Sequence, residues 1–327
     1  MAETKVVQGT CPLDCPDTCA WQAHVEDGKV VRVEGDKAHP FTRGVLCAKV
    51  NDYPTRTYSP ERLLHPLRRT GAKGAGEFER ISWEQAVDTI AERFGEIITR
   101  HGGEALMPVT YFGSMGAVQK YAPLRLLHAL GASDMIGNIC GAPGLAMMVT
   151  GHTIGFDPEE YVHAKFIILW GVNVLTTGHH HWHFLNEARK RNGARIVCID
   201  PRYTQTAAKC DEHIAIRPGS DAALAAGMAR VLLTEGLADL EYAEQMAHDL
   251  DEFREQVEPW TPERVAETCG IDAATVVSLA REFAAAEPGM VRCGVGPQQT
   301  VQGEAFVWNL SALCILSGHW RSAGGGL

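Results

Sequence analysis

Three cysteines, Cys11, Cys15 and Cys19, stand at every fourth position of one short proline-containing stretch. A fourth, Cys47, follows after 27 intervening residues in the run Gly44-Val-Leu-Cys47-Ala-Lys49. Four thiols brought together in this way can surround one compact inorganic centre. A [4Fe-4S] cubane takes one soft anionic ligand on each iron, so four thiolates meet its whole requirement. Structural zinc also accepts four cysteines, but usually as two close pairs, whereas here three cluster and one is distant. The pattern points to the cluster ahead of zinc and ahead of four unrelated buried thiols.

Other residues carry weaker signals, each with a plain alternative. Lys49, two residues after the fourth cysteine, is either a solvated cation or an electrostatic bridge from an anionic cluster to a second redox group. Cys140, among the glycines of Gly137-Asn-Ile-Cys-Gly-Ala-Pro-Gly144, is either a small buried hydrophobe or a thiolate presented as a soft metal ligand. Asp200, ahead of Pro201-Arg202, can hold a nucleotide ribose or make a surface ion pair. Gly171-Val-Asn173 is a turn, or a place where backbone comes close to a phosphate. In Pro218-Gly-Ser-Asp221 the carboxylate either caps a helix or accepts both donors of a guanine edge. The run His179-His-His181-Trp-His183 lacks the spacing of a zinc hydrolase and reads as helix-start and surface histidines. No G-x-G-x-x-G follows a strand, which disfavours a nicotinamide cofactor.

The elements that must position these residues are legible. Trp21–Val25 and Lys29–Val33 alternate apolar and polar residues around Asp27-Gly28, which is a β-hairpin that carries the chain away from the first cysteines and back toward Cys47. A helix with Ala86, Ile90, Ala91, Phe94 and Ile97 on one face starts behind a Ser82 cap. A short strand at 106–110, a glycine loop at 111–116 and a helix at 119–130 follow. The strand–loop–helix grammar then repeats: strand 165–170, helix 180–191, strand 194–199, strand 213–216 and helix 222–233. Residues 237–286 read as mostly helical, with starts at Thr261-Pro-Glu and near Ala273. A strand at 290–293 and a helix at 304–316 precede Gly324-Gly-Gly326. Strand ends rich in Gly, Asn, Asp and Ser are where open α/β sheets bind ligands.

With 327 residues, 45% of them hydrophobic and 21% charged, the composition is that of a globular chain with two or more cores. A net charge of −10 argues against a nucleic-acid partner. Met1–Gln8 has no apolar signal core and Arg68-Arg69 are internal, so the expected location is the cytoplasm, with reduced thiols. The longest apolar runs are too short to span a membrane.

Taken together, the four cysteines with Cys47-Ala-Lys49, Trp170-Gly-Val-Asn173, Ile199-Asp-Pro-Arg202 with Thr204, Arg217-Pro-Gly-Ser-Asp221 and the closing Gly324-Gly-Gly326 resemble the N-terminal part of the molybdopterin oxidoreductases. This is the dimethyl sulfoxide reductase superfamily, and the likeness is to its iron–sulfur branch with formate dehydrogenases and nitrate reductases. It runs from Cys11 to Gly326. The implied fold is α/β: a small iron–sulfur module (1–60), a first α/β domain (61–135 with 288–327), and a second, nucleotide-binding α/β domain (136–287). Both α/β domains are expected to be doubly wound and Rossmann-like.

The resemblance further implies that Cys11, Cys15, Cys19 and Cys47 ligate a [4Fe-4S] cluster and that Lys49 lies between cluster and pterin. It implies that Cys140 ligates molybdenum or tungsten. Gly171, Asn173, Asp200, Arg202, Thr204, Gly219 and Asp221 would hold the nucleotide end of a molybdopterin guanine dinucleotide. The implied activity is two-electron chemistry at the metal, with single electrons exchanged with a partner protein through the cluster. Gly141 stands where formate dehydrogenases carry a histidine, so formate is not implied as substrate. The C-terminal domain that encloses the pterins in such proteins has no counterpart here. The expectation is a partner chain that supplies it, or loss of the full bis-pterin cofactor. The alternative function is a non-catalytic electron-transfer subunit resembling the large iron–sulfur subunit of NADH dehydrogenase.

Overall fold

A computed structural model describes residues 4–13, 15–109, 116–135 and 155–327. The glycine loop at 111–115, residue 110 and Cys140 with its neighbours lie outside the described residues. The chain divides into two compact units, Met1–Gly137 and Asn138–Leu327.

In the first unit, β1 (Lys5–Thr10), β2 (Ala20–Glu26) and β3 (Lys29–Gly35) form an antiparallel sheet in that order. The β2–β3 hairpin is the expected one. Asp27 and Gly28 both take positive φ, at 48° and 76°, which matches the twist of a two-residue turn to the strands it joins. Strand β1 was not legible in the sequence. Two short helices, α1 (Ala48–Asn51) and α2 (Tyr53–Thr57), follow the last cysteine. After them come a small hairpin, β4 (Leu67–Arg69) with β5 (Phe78–Arg80), and α3 (Trp83–His101). Ser82 caps α3 as expected: its Oγ accepts from the Gln85 N–H at 3.1 Å, and Gln85 Oε1 accepts from the Ser82 N–H at 2.9 Å. None of the residues of α3 is buried, those of its apolar face included. Residues 106–109, expected as a strand, form none. The Leu106 carbonyl accepts from the Ser133 N–H, but no ladder partner lies alongside among the described residues. A helix, α4 (Ala117–Ala129), follows.

The second unit is built on a parallel sheet of β6 (Phe166–Trp170), β7 (Arg195–Ile199), β8 (Glu212–Ile214) and β9 (Gly289–Cys293), in the order β8-β7-β6-β9. Every residue of β6 is buried, as its unbroken apolar run requires. The connection from β6 to β7 carries α5 (His181–Asn192). Between β8 and β9 lie α6 (Asp221–Thr234), α7 (Leu240–Met246), α8 (Leu250–Val257), α9 (Pro262–Cys269) and α10 (Ala273–Ala285). The chain steps outward from β6 to β8 and then returns past β6 to β9. Right-handed crossovers in opposite directions put their helices on opposite faces of the sheet. Phe166, Ile168, Trp170, Val197, Ile199 and Val291 accordingly share one core with α6, α10 and α11 (Gly303–Leu316). The alternate residues Ile167, Leu169, Ile196 and Cys198 are fully buried toward the other face.

Segment 288–327 departs from the expected domain division. It was grouped with residues 61–135, yet β9 pairs in register with β6, and the Val291 N–H donates to the Gly326 carbonyl. Apolar strand complementarity with β6 decides its place. Among the described residues no helix is long and apolar enough to cross a membrane.

Candidate functional site

The N-terminal site is built by a loop and a return. The Cys11 N–H donates to the Cys19 carbonyl at 2.8 Å, which closes the loop that carries the first three cysteines. The hairpin then returns the chain: the end of β3 presses on the next turn, where a Cβ at Gly35 would collide with the Gly44 backbone. Three residues later Cys47 sits at the start of α1. Cys19, Leu46 and Val50 are buried together, with Cys11, Leu13, Trp21, Cys47 and Tyr53 packed against them.

The electrostatics link all four sulfurs. Burial, then the Asp17 carboxylate, then Cys11, Cys15 and Cys47 push the Cys19 thiol up to about 12. Burial also raises Cys15, while the ammonium of Lys49 pulls it down. Four thiolates this close need strong positive charge between them, and metal coordination deprotonates a thiol outright. Among the described residues no group of three or more His, Cys, Asp or Glu is arranged to hold a single ion. A cubane makes a different demand. It attaches one sulfur to each of four irons at its corners, so its ligands stand further apart than those of one ion. Four thiols, one for each iron, are the donor set that a cubane takes.

In the second unit the strands are parallel, so the loops after β6, β7 and β8 share one edge. They bring together Gly171 and Asn173, then Asp200, Arg202 and Thr204, then Gly219 and Asp221. The Asn173 side-chain oxygen accepts from the Thr206 hydroxyl at 2.7 Å, which ties the first loop to the second. Asp200 Oδ1 accepts from the Arg202 N–H at 2.8 Å, and Thr204 Oγ1 accepts from the Ala207 N–H at 3.1 Å, so both shape the second loop. Arg202 is exposed at this edge. Gly219 takes φ +85°, with open space where a side chain would stand.

Asp221 differs from expectation in its surroundings. It is the first residue of α6, is 7% exposed, and accepts from Trp170 Nε1–H at 2.9 Å. Burial holds its carboxyl above the usual range, offset by that bond and by the N–H groups of Asp221 and Gly219. At the point where the strand order reverses, the loops after β6 and β9 touch. Gly171 is left-handed at φ +59°, and a Cβ at Gly294 would meet its carbonyl. The sequence did not signal Trp170 or Thr206 as site residues. Trp170 read as the end of an apolar strand and the first residue of the matching run Trp170-Gly-Val-Asn173, with no role of its own, and Thr206 carried no pattern at all.

Comparison with known proteins divides the chain near residue 60, ahead of the boundary between the two compact units. Residues 4–59 match the molybdopterin oxidoreductase Fe4S4 domain, and residues 62–327 match the molybdopterin oxidoreductase domain. The chain belongs to the molybdopterin oxidoreductase family. Its relatives in that family include the Bacillus subtilis protein named "Probable oxidoreductase YoaE", 37% identical over 98% of this chain and 48% of that one. Dimethyl sulfoxide reductase DmsA of Escherichia coli is 32% identical over 99% of this chain and 45% of its own length. Among solved structures, acetylene hydratase from Pelobacter acetylenicus superposes with a TM-score of 0.67 at 26% identity, covering 97% of this chain and 44% of that one. The chain thus spans about half the length of the family members it matches. A [4Fe-4S] cluster and a molybdopterin carrying molybdenum or tungsten are the cofactors that go with the two matched domains.

Proposed function

We propose that this chain carries the cluster module and the nucleotide-binding sheet of a molybdenum- or tungsten-dependent oxidoreductase. The observation that supports it most is the pairing of four electrostatically coupled cysteines in one unit with three strand-end loops on a single sheet edge in the other. That sheet is a doubly wound, Rossmann-like half, and its switch point lies between β6 and β9. The metal supplies two-electron chemistry and the cluster a one-electron path.

The residues then take these roles. Cys11, Cys15, Cys19 and Cys47 hold the cluster, and Lys49 places a positive charge beside it. Gly219 keeps the edge open to close approach, and Gly171 lets the first loop pack against Pro297 beside it. Asn173, Asp200, Arg202 and Thr204 hold the guanine nucleotide end of the pterin. Asp221 joins them through the acceptor sites Trp170 leaves free, since a carboxylate has about four. Cys140 is the metal ligand in this reading. Electrons pass between the cluster and a partner protein. The relatives include a reductase and a hydratase, so they do not assign a substrate. The non-catalytic alternative gains no support, because the match continues through the nucleotide-edge residues to position 327.

Anaerobic isolation of the chain tests this. The expected result is a brown protein absorbing near roughly 400 nm, with iron and labile sulfide lost in Cys47→Ser, and guanine nucleotide released by acid in amounts that fall in Asn173→Ala. Iron that is absent, or zinc in its place, overturns the cluster assignment. Nucleotide retained undiminished in the Asn173 variant overturns that of the sheet edge.

A further inference from the structure

Cys198 and Cys210 belong to neither the cysteine quartet nor the nucleotide edge. Cys198 is a fully buried residue of β7. It alternates with Val197 and Ile199, which face the α6 side, so its thiol points to the α5 side. Cys210 ends the turn before β8, and the Asp211 N–H then donates to the Ile196 carbonyl at 2.8 Å, which brings that turn against β7. From α5, the Arg189 guanidinium donates to the Lys209 carbonyl at 2.8 Å and to Asp211 Oδ2 at 3.1 Å, gripping the residues on both sides of Cys210. The two side chains therefore converge beneath α5, near enough for each thiol to shift the titration of the other. Both are free cysteines, and Cys210 keeps some exposure.

We propose that Cys198 and Cys210 are a redox-active dithiol that forms an internal disulfide when it meets a small-molecule disulfide. Two features of the site set the order of events. The neighbouring Cys198 and the Arg189 charge favour the thiolate at Cys210, whereas Cys210 and then burial keep Cys198 protonated. Cys210 is also the reachable sulfur. Its thiolate attacks one sulfur of the small disulfide, forming a mixed disulfide and releasing one small thiolate. Cys198 then gives up its proton to that thiolate and attacks the Cys210 sulfur, releasing the second, which takes up from solvent the proton that Cys210 shed on ionising. The cysteines lose two electrons and two protons, and the small disulfide becomes two thiols. The bond closes a loop over Ile199–Lys209, the segment that carries Asp200, Arg202, Thr204 and Thr206. The linkage itself does not depend on those residues binding a nucleotide.

The test is peptide mapping of the full chain, titrated anaerobically with oxidised glutathione, alkylated with N-ethylmaleimide and digested without reductant. A Cys198–Cys210 linked pair is expected in the wild type, with none in Cys210→Ser. In Cys198→Ser, Cys210 is expected to retain a glutathione adduct, because its resolving partner is gone. Cys210 alkylated as a free thiol throughout the titration, or linked to any other cysteine, overturns the proposal. Failure of the cluster reading would show separately, in the alkylation of Cys11, Cys15, Cys19 and Cys47.

Discussion

Around the four cysteines the buried apolar set is Cys19, Leu46 and Val50, whereas the parallel sheet is enclosed on both faces and every residue of β6 is sealed from water. A large aliphatic side chain contributes about 1.5–3 kcal/mol when fully buried. The sheet gathers many such terms, from Ile167, Ile168 and Leu169 through Leu310 and Leu313, and the cysteine module few. Its outer strand β1 leaves Val6 and Val7 exposed. A segment with so little to bury cannot offset its backbone entropy alone, so the cluster is at once its cofactor and a large part of its stability.

Withdrawal of iron is the strongest way to break this comparison. A ligand held at about 100 times its dissociation constant contributes about 2.7 kcal/mol, or roughly 100-fold in the opening equilibrium. Amides of β1, β2 and β3 in chelator-treated protein should therefore exchange about 100-fold faster, while those of β6 and β7 stay protected. Equal loss of protection in both units would mean that the sheet also leans on the cluster.

The same contrast explains what the sequence could and could not reveal. Hairpin β2–β3, the Ser82 cap, strands β6 and β7 and helices α9 to α11 are each marked by local chemistry: a turn dipeptide, a capping residue, an apolar run. The quartet of cysteines was legible for the same reason, since its spacing is itself the signal. Pairings set by long-range contact were not. Strand β1 lacks clean alternation, and β9 was grouped with the wrong segment because only its register with β6 decides its sheet. The apolar stretch at 106–109 has strand-like composition but no partner strand among the described residues, and composition alone makes no ladder. Trp170 was hidden by its own hydrophobicity, because an indole N–H aimed at a carboxylate 51 positions away leaves no trace in a local pattern.

A smaller effect sharpens the comparison inside the sheet unit. Trp170→Phe keeps the ring in the core but removes the donor to Asp221, a loss of about 1–3 kcal/mol for a buried charged acceptor. The sign with pH follows from the direction of the shift. Asp221 is held above its ordinary 3.8 in the folded protein, so its contribution is most favourable below that value and is lost as pH rises through the folded value. Removing the Trp170 bond lifts the folded value further. The deficit of the variant in urea unfolding should thus be small near pH 4 and grow toward neutrality; a deficit independent of pH would assign the loss to packing.

The smallest effect concerns a segment with neither metal nor core. Helix α3 buries none of its residues, and its N-terminus is closed by the reciprocal bonds of Ser82 and Gln85. Ser82→Ala should cost about 0.5–2 kcal/mol, the usual worth of a cap. Because no residue of α3 is buried, that cost should appear in its first turn as faster amide exchange at Glu84, Gln85 and Ala86, with cluster absorbance and the protection of β6 unchanged. Gln85→Ala removes only the return bond and should give a lesser change at the same amides. If Ser82→Ala instead left the first turn as protected as before, something other than local capping would have to hold α3. Its exposed Trp83, Val87 and Ile90 would then be the residues to examine for a covering surface.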